Sequence, residues 1–460
     1  MVTGLTHRYF EQRFETMSPD ALRDAQWQAF REVLRRARET SPFYRRKFEA
    51  VGFHPNDVRH PDEIDKVPMT TKEEVVRDIE EHPPYGSRLQ VDRREIVNIV
   101  ETSGTSGKGR EVHLQTREDL ESIYRAEAYG FVWAGLEKGT VALLTWPVTM
   151  TSGSTWWIYT FSRLGVNCLR VGHLGTSEKL FYARRYGADV LITTPSYLTR
   201  LEHTADAEGL DLKRQLHLRS IIVLGESRSA QWVSRVQERW GAKVYEQWGC
   251  TQGGFTWTCE QGMLPGGRLG MMHGLPHLFQ LEVLGRESRR AVASGQEGEI
   301  VITPLGTVGA PLIRFATNDR ATFLTSDACP CGRPFDGLAC ASVSRYDDMI
   351  KIKGYNVWPD AISRAVDRHP EVKEHAGRVY LDAHGREVAR LDVEFQTGVD
   401  AARKRAIVRD LMAALRAEIG VSFDLAEWAG DGPLESVIID KNTGKARRWS
   451  DRRSEAPIHA

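Results

Sequence analysis

The stretch Thr102-Ser103-Gly104-Thr105-Ser106-Gly107-Lys108 gathers four hydroxyls, two glycines and one ammonium in seven residues. It follows an apolar run, Ile96-Val97-Asn98-Ile99-Val100, that reads as a strand. Hydroxyls, backbone N–H groups that can approach closely and a cation are what a polyphosphate needs around it. The spacing is too short for the nucleotide loop with four residues between its glycine and its Gly-Lys-Ser/Thr. From the heptad alone, a flexible turn is the other reading. A second concentration of chemistry is Cys329-Pro330-Cys331-Gly332, a tight knuckle able to put two thiolates on one ion.

The whole chain bounds what these groups serve. At 460 residues it is long for one domain, so two or more are expected. Lys+Arg and Asp+Glu both number 62, a balance that argues against a nucleic-acid surface, which needs clustered basic excess. No run of about 18 apolar residues is present, so no membrane span is expected. The N-terminus, Met1-Val2-Thr3-Gly4-Leu5-Thr6-His7, lacks the basic-then-apolar pattern of a secretory signal, and a cytoplasmic protein is the default. Six cysteines in a chain of this size do not make a disulfide scaffold.

The elements that must position the chemistry follow from periodicity. Residues 8–50 are charged with apolar positions at helical spacing (Leu22, Trp27, Phe30, Val33, Leu34), and Ser41-Pro42-Phe43-Tyr44 breaks the helices. From about 95 to 325, β-rich runs alternate with amphipathic stretches. Val141 to Thr145, Val190 to Thr193 and Ile221 to Leu224 read as strands, and Phe181 to Tyr186 and Gln231 to Trp240 as helices. That alternation predicts α/β layering with largely parallel strands. After Arg345 the character changes. Strand-like Arg378 to Leu381 and Ala389 to Phe395 flank a turn at Ala383-His384-Gly385, and a helix runs from about Ala401 to Ile419 with Ile407, Leu411, Leu415 and Ile419 on one face. A small α+β domain is expected there, joined near Asp347-Asp348.

Further segments join the loop in order: Met69-Thr70-Thr71-Lys72, Thr194-Pro195-Ser196-Tyr197, Gly225-Glu226-Ser227 at the end of a strand, and Trp248-Gly249-Cys250-Thr251-Gln252 following the strand Lys243-Val244-Tyr245. Then come Arg314-Phe315-Ala316-Thr317-Asn318-Asp319, Arg345 to Gly354, Lys353 to Pro359, and Gly444-Lys445. This succession resembles the adenylate-forming ligases, and most closely the phenylacetate–coenzyme A ligases, over nearly the whole chain. Any one segment is weak. Their order and spacing together are specific.

The resemblance implies an α/β fold: a large N-terminal ATP- and acyl-binding domain of layered sheets and helices over 1–344, with a helical start over 1–90, and a small mobile α+β lid over 345–460. It implies that Thr102, Ser103, Gly104, Thr105, Ser106, Gly107 and Lys108 embrace the β- and γ-phosphates of ATP. Gly225, Glu226 and Ser227 would line the adenine pocket, with Trp248 stacking where the family usually has tyrosine; core packing is the plain alternative for Trp248. Gly249 and Thr251 complete that strip. Asp319 would accept from both ribose hydroxyls, a task suited to a carboxylate, and Arg345 would contact the same ribose. Asp347 would be the hinge. Lys445 would reach the carboxylate and the α-phosphate, offsetting the repulsion between two anions in the transition state. Thr105, Gln252 and Lys445 are thus the expected catalytic residues. Arg447 and Arg448 read equally as phosphate contacts or as solubilising charges.

Two departures stand out. The motif at 248–252 normally ends in a glutamate that helps bind Mg²⁺, and here it is Gln252. An amide oxygen still ligates magnesium but brings no negative charge; the alternative is loss of adenylation, leaving a binding protein. Ser344 stands where a glycine usually precedes the arginine. For the cysteines, Cys259 and His273 fall where some relatives carry a Cys and a His. With Cys329 and Cys331 they would make a closed, structural Zn²⁺ site, although His277 is an alternative ligand and free buried cysteines are the other reading. Cys168, Cys250 and Cys340 read as packing residues. Trp146, Met150, Trp156 and Trp157 lie in the segment matching the acyl-binding region, where bulky rings would close off a long chain and favour a flat aromatic acid.

The expectation is an enzyme that uses ATP, Mg²⁺ and coenzyme A to activate an aryl or arylacetic acid. Its partners would be that small acid and an acceptor nucleophile, with no nucleic acid and no membrane. An amine or a carrier-protein thiol is the alternative acceptor, because nothing in the small domain reads as a coenzyme A site. The resemblance is compatible with a homodimer, for which the sequence gives no interface.

Overall fold

Ser41 ends one helix and starts the next. In the computed structural model, which describes residues 9–102, 109–150, 152–439 and 446–453, the break expected over Ser41–Tyr44 is one residue wide. Ser41 closes the helix Pro19–Thr40, and its side chain accepts from the Tyr44 N–H of the helix Pro42–Ala50, with Pro42 in the first turn where no N–H is needed. The pair buries Phe30, Val33, Leu34, Tyr44 and Phe48 against Leu305 and Ile313. The same capping logic writes two of the motifs. Thr71 and Glu74 form a reciprocal box at the start of Lys72–Glu81, and Thr194 caps Pro195–Ala207 with Pro195 at its first position.

The alternation of strands and helices yields a 12-stranded sheet. Its parallel half runs Asn167–Arg170, Val141–Leu144, Val190–Thr193, Ser220–Leu224, Lys243–Cys250. The residues of Val190–Thr193 are all buried, as strands covered by helices on both faces must be. Beyond Lys243–Cys250 the sheet turns antiparallel through Gly254–Thr258, Met271–His273, Gly337–Ala339, Phe315–Leu324, Glu297–Pro304 and Phe279–Leu284. The strand Lys243–Cys250 is longer than the sequence suggests, so Trp248, Gly249 and Cys250 lie within it rather than after it. Helix Arg117–Trp133 packs close over this turn from parallel to antiparallel. At Gly130 an added Cβ would sit 1.7 Å from the Trp257 ring, which only glycine permits.

Ser344–Arg345 still belongs to the large sheet, with Arg345 opposite Asp319, and a short turn at Tyr346–Asp348 leads out of it. The last segment has its own four-stranded sheet, ordered Asp424–Glu427, Glu387–Phe395, Val372–Leu381, Trp449–Asp451. Helices Pro359–Val366 and Ala401–Ile419 cover it, with Ile407, Leu411 and Leu415 buried in a separate core. Among the described residues, no helix is long and apolar enough to cross a membrane.

Candidate active site

The strand Asn98–Glu101 pairs antiparallel with Val112–Gln115, so the stretch expected to hold phosphates connects two paired strands. Thr102 and Glu111 close its neck: Thr102 N–H donates to the Glu111 carbonyl at 3.0 Å, and Glu111 N–H to Thr102 Oγ1 at 2.9 Å. Ser103, Gly104, Thr105, Ser106, Gly107 and Lys108 lie outside the described residues, as does Lys445.

The nucleotide-site residues expected further along converge at the carboxyl ends of the parallel strands, where open α/β sheets hold their ligands. After Ser220–Leu224 the chain turns through Gly225 at φ +82°, a left-handed turn that suits glycine. The Trp146 ring lies 3.8 Å from where a Gly225 Cβ would stand. Ser227 donates to the Val343 carbonyl. Trp248 is buried, and its indole N–H donates to Asp319 Oδ2 at 3.0 Å, so the edge of the ring orients the carboxylate. Arg345 Nε lies 3.9 Å from the other oxygen of Asp319, and its Nη2 is 3.3 Å from Asp347. Burial opposes the Arg345 charge, but the carboxylates of Asp319, Asp348 and Asp347 more than offset that and raise its pKa. Asp319, Trp248 and Arg345 are thus one hydrogen-bonded and charge-paired cluster.

Glu226 and Arg448 have different surroundings from those expected. Arg448 neither faces solvent nor stands open for a phosphate. Its side chain is 9% exposed, donating to Glu226 Oε2 at 2.8 Å and to both oxygens of Glu374 at 2.9 and 3.0 Å. Ser196 also donates to Glu226, and Arg228 lies 3.6 Å from it and 3.3 Å from Asp367. The Glu226 side chain therefore serves a buried ionic bridge between the end of a central strand of the large sheet and the last segment. Burial alone would raise the pKa of Glu374, yet the adjacent Arg448 charge and hydrogen bonds hold it down at about 2.

The AMP-binding enzyme family model matches residues 48–307, more than half of the chain. The chain belongs to the AMP-binding enzyme family. It is 26% identical over 446 residues to a phenylacetate-coenzyme A ligase of Pseudomonas putida, covering 95% of this chain and 96% of the relative. To the phenylacetate-coenzyme A ligase of Thermus thermophilus it is 26% identical over 373 residues, 80% of each chain. Its fold superposes on a 2-hydroxyisobutyryl-CoA ligase holding 2-HIB-AMP in the postadenylation state with a TM-score of 0.86, at 24% identity, covering 99% of this chain and 94% of that one. Against the same ligase in its thioesterification state the TM-score is 0.70, at 25% identity, covering 98% and 94%. The fold is that of the adenylate-forming ligases.

In this AMP-binding enzyme the residue that departs from the motif, Gln252, is tied to Glu111, which belongs to none of the motifs. Gln252 Nε2 donates to Glu111 Oε2 at 2.7 Å. Glu111 is 1% exposed, with Lys72 Nζ 3.5 Å from its Oε1 and His113 Nε2 3.4 Å from its Oε2. Burial would raise the Glu111 pKa. His113, Gln252 and Lys72 together lower it to about 2. A signal for it lies in Glu111-Val112-His113-Leu114-Gln115, where polar residues recur at every second position of a strand. His113, Gln115, Trp156, Thr251, Gln252 and Phe255 line a cavity of about 50 Å³ joining the motif to the aromatic segment. A wider cleft of about 410 Å³, lined by Arg117, Glu121, Arg125 and His277, contains none of the motif residues.

Of the aromatic segment, Trp146 is partly buried beside Gly225, whereas Met150 is exposed. Trp156 and Trp157 are buried in the core, and each has a polar anchor. Trp156 donates to Gln115 at 3.0 Å, and Trp157 to Glu127 at 3.2 Å. Gln247 Nε2 donates to the other Glu127 oxygen at 2.9 Å. Among the described residues no cation faces Glu127, and burial raises its pKa to about 8.

Cys259, His273, Cys329 and Cys331 come together, all buried, with one ligand atom from each within 4.8 Å of the others. His273 Nε2 faces Cys331, and its Nδ1 lies 2.8 Å from the Phe335 carbonyl, which fixes the ring for ligation through Nε2. His277, the alternative ligand, is occupied elsewhere: it stacks on Phe14 and meets Tyr129 at 3.0 Å. Cys340 packs in the main core, and Cys168 and Cys250 pack against core clusters.

Proposed function

We propose that this AMP-binding enzyme joins an aromatic carboxylic acid to coenzyme A through an acyl-adenylate, using MgATP and releasing pyrophosphate. The observation that carries the reading is the Trp248–Asp319–Arg345 cluster. It offers an oriented carboxylate where a ribose diol would lie. Relatives named phenylacetate-coenzyme A ligases, with nearly full mutual coverage, support a flat acid and a thiol acceptor.

In this reading the acid's carboxylate attacks the α-phosphorus and pyrophosphate leaves. The ammonium of Lys445 meets both anions in the transition state, where their repulsion is greatest. Asp319 holds the ribose, and Trp248 and Arg345 hold Asp319. Trp146, next to Gly225, is the ring best placed to pack on the acid. Magnesium, when bound, would neutralise charge on the phosphates, and Gln252 would offer it an amide oxygen. The segment after Asp347 then turns, carrying Lys445 away and admitting coenzyme A. Such closing and opening steps set many turnover rates. The cysteine cluster, with three sulfurs and one imidazole, is a donor set that would suit a structural Zn²⁺, which Cys259, His273, Cys329 and Cys331 would hold, tying Met271–His273 to the Cys329–Cys331 knuckle.

Separating the half-reactions tests the assignment. Lys445→Ala should cut pyrophosphate release at least a hundredfold while sparing thioester formation from supplied acyl-adenylate. Equal loss in both steps would remove Lys445 from the role and the two-step scheme with it.

A further inference from the structure

A carboxylate that is 1% exposed is costly unless it is paired, and Glu111 is paired on both oxygens in different ways. Oε1 faces Lys72 at 3.5 Å, an ion pair sufficient to balance the charge. Oε2 is spent on Gln252, at 2.7 Å, across 141 residues of sequence. Charge balance alone needs nothing from Gln252, so this second contact requires its own explanation. The backbone of Glu111 is itself locked to Thr102 by two hydrogen bonds, which fixes the carboxylate at the base of the phosphate loop.

The chemistry of the contact has one consequence. An ionised carboxylate only accepts, so the Gln252 atom facing it is the amide nitrogen. The amide is planar, and its Oε1 is therefore turned away from Glu111. That oxygen is the one atom of the side chain able to ligate a hard cation. His113 Nε2, buried and 3.4 Å from Glu111 without a well-formed hydrogen bond, lines the same small cavity as Gln252.

We propose that Glu111 is a positioning residue for the divalent cation of MgATP: it holds the Gln252 amide with Oε1 toward the cation. The acid thus acts through the amide, one side chain back from where a glutamate at position 252 would stand. It rests on the reading of this region as a MgATP site.

Because the proposal concerns charge and orientation, a swap tests it. Binding of Mn²⁺ in the presence of ATP, read by paramagnetic resonance without any acid substrate, is compared in wild type, E111Q, Q252E and E111Q/Q252E. E111Q keeps the shape but loses the charge and no longer dictates which way the amide faces. It should weaken Mn²⁺ about ten- to a hundredfold, as loss of a group orienting a metal ligand typically does. Q252E alone sets two carboxylates against each other and should bind no better than wild type. E111Q/Q252E, with the amide now donating to a carboxylate at 252, should return to within about threefold of wild type. Metal-free ATP binding and the melting temperature should stay level across the set, which separates cation placement from misfolding. Unchanged Mn²⁺ binding in E111Q, or a double variant as weak as E111Q, would overturn the proposal. If wild type binds Mn²⁺ and ATP but releases no pyrophosphate with any acid, the proposed ligase function fails while this pair stands. If wild type binds neither, the site reading falls and the proposal with it.

Discussion

Glu127→Gln is expected to make the protein less sensitive to alkali. Glu127 accepts from Trp157 and Gln247, faces no cation among the described residues and is 1% exposed. Burial raises its pKa from 4.5 to about 8. A carboxyl whose folded pKa is raised keeps its proton in the native state while the unfolded chain gives it up. Between those two values the native state binds more protons, so stability falls as pH rises, and no cost remains below about pH 4.5. One unit corresponds to about 1.4 kcal/mol, so pH 5 to pH 8 removes roughly 4 kcal/mol through this group alone. For a structural unit of this size that is a shift of about 5 °C. The amide cannot titrate. Turning Gln247, whose Oε1 has no other partner, gives the new NH₂ an acceptor. Thermal melts of both proteins at pH 5, 6, 7 and 8 read the effect as a difference, which cancels every other titrating group. The E127Q protein should gain on wild type progressively over that range. Parallel curves would refute the argument that Glu127 is held as a neutral acid.

Three other outcomes follow from the geometry. Trp248→Phe deletes the donor to Asp319; a hydrogen bond to a charged group is worth about 1.5–3 kcal/mol, so the KM for ATP should rise roughly tenfold or more, and an unchanged KM would detach Trp248 from the ribose site. Metal analysis of protein grown with zinc should find one Zn²⁺ per chain, and Cys331→Ala should lose both the metal and several degrees of melting temperature; a metal-free native protein would leave the cluster as four packed side chains. Arg448→Ala strands Glu374 and Glu226 in a buried setting, a loss of about 3–5 kcal/mol. Faster proteolysis near Tyr346–Asp348 should accompany it, and wild-type resistance would show that the ionic bridge does not hold the two parts together.

What can be read in advance is local or periodic. Val190–Thr193 is legible as a short β-rich run buried throughout, and the helix Ala401–Ile419 because its buried residues follow the helical repeat. Thr194-Pro195 is legible because a cap and a first-turn proline carry their own signature. The cysteines can be grouped because few residue types bind soft metals. What escapes lies in contacts between distant residues. Gln252 reads as a lost charge without Glu111 against it, and Arg448 reads as a phosphate contact or a solubilising charge without Glu226 and Glu374 closing on it. For Trp248 the resemblance implies a stacking face, but the donation of its indole edge to Asp319, 71 residues on, is a contact that the sequence does not show. Glu127, alone among apolar neighbours of its helix, is a buried acid with a readable signal, an ionisable residue in Ala126-Glu127-Ala128-Tyr129-Gly130-Phe131.

The proposed activity is formation of acyl-adenylates from aromatic acids and their transfer to coenzyme A. Its direct test is pyrophosphate release with MgATP across a panel of aryl and arylacetic acids, with and without coenzyme A. Release should become catalytic only when coenzyme A is added, for at least one flat aromatic acid. Release that coenzyme A leaves unchanged, or turnover confined to aliphatic acids, would contradict it.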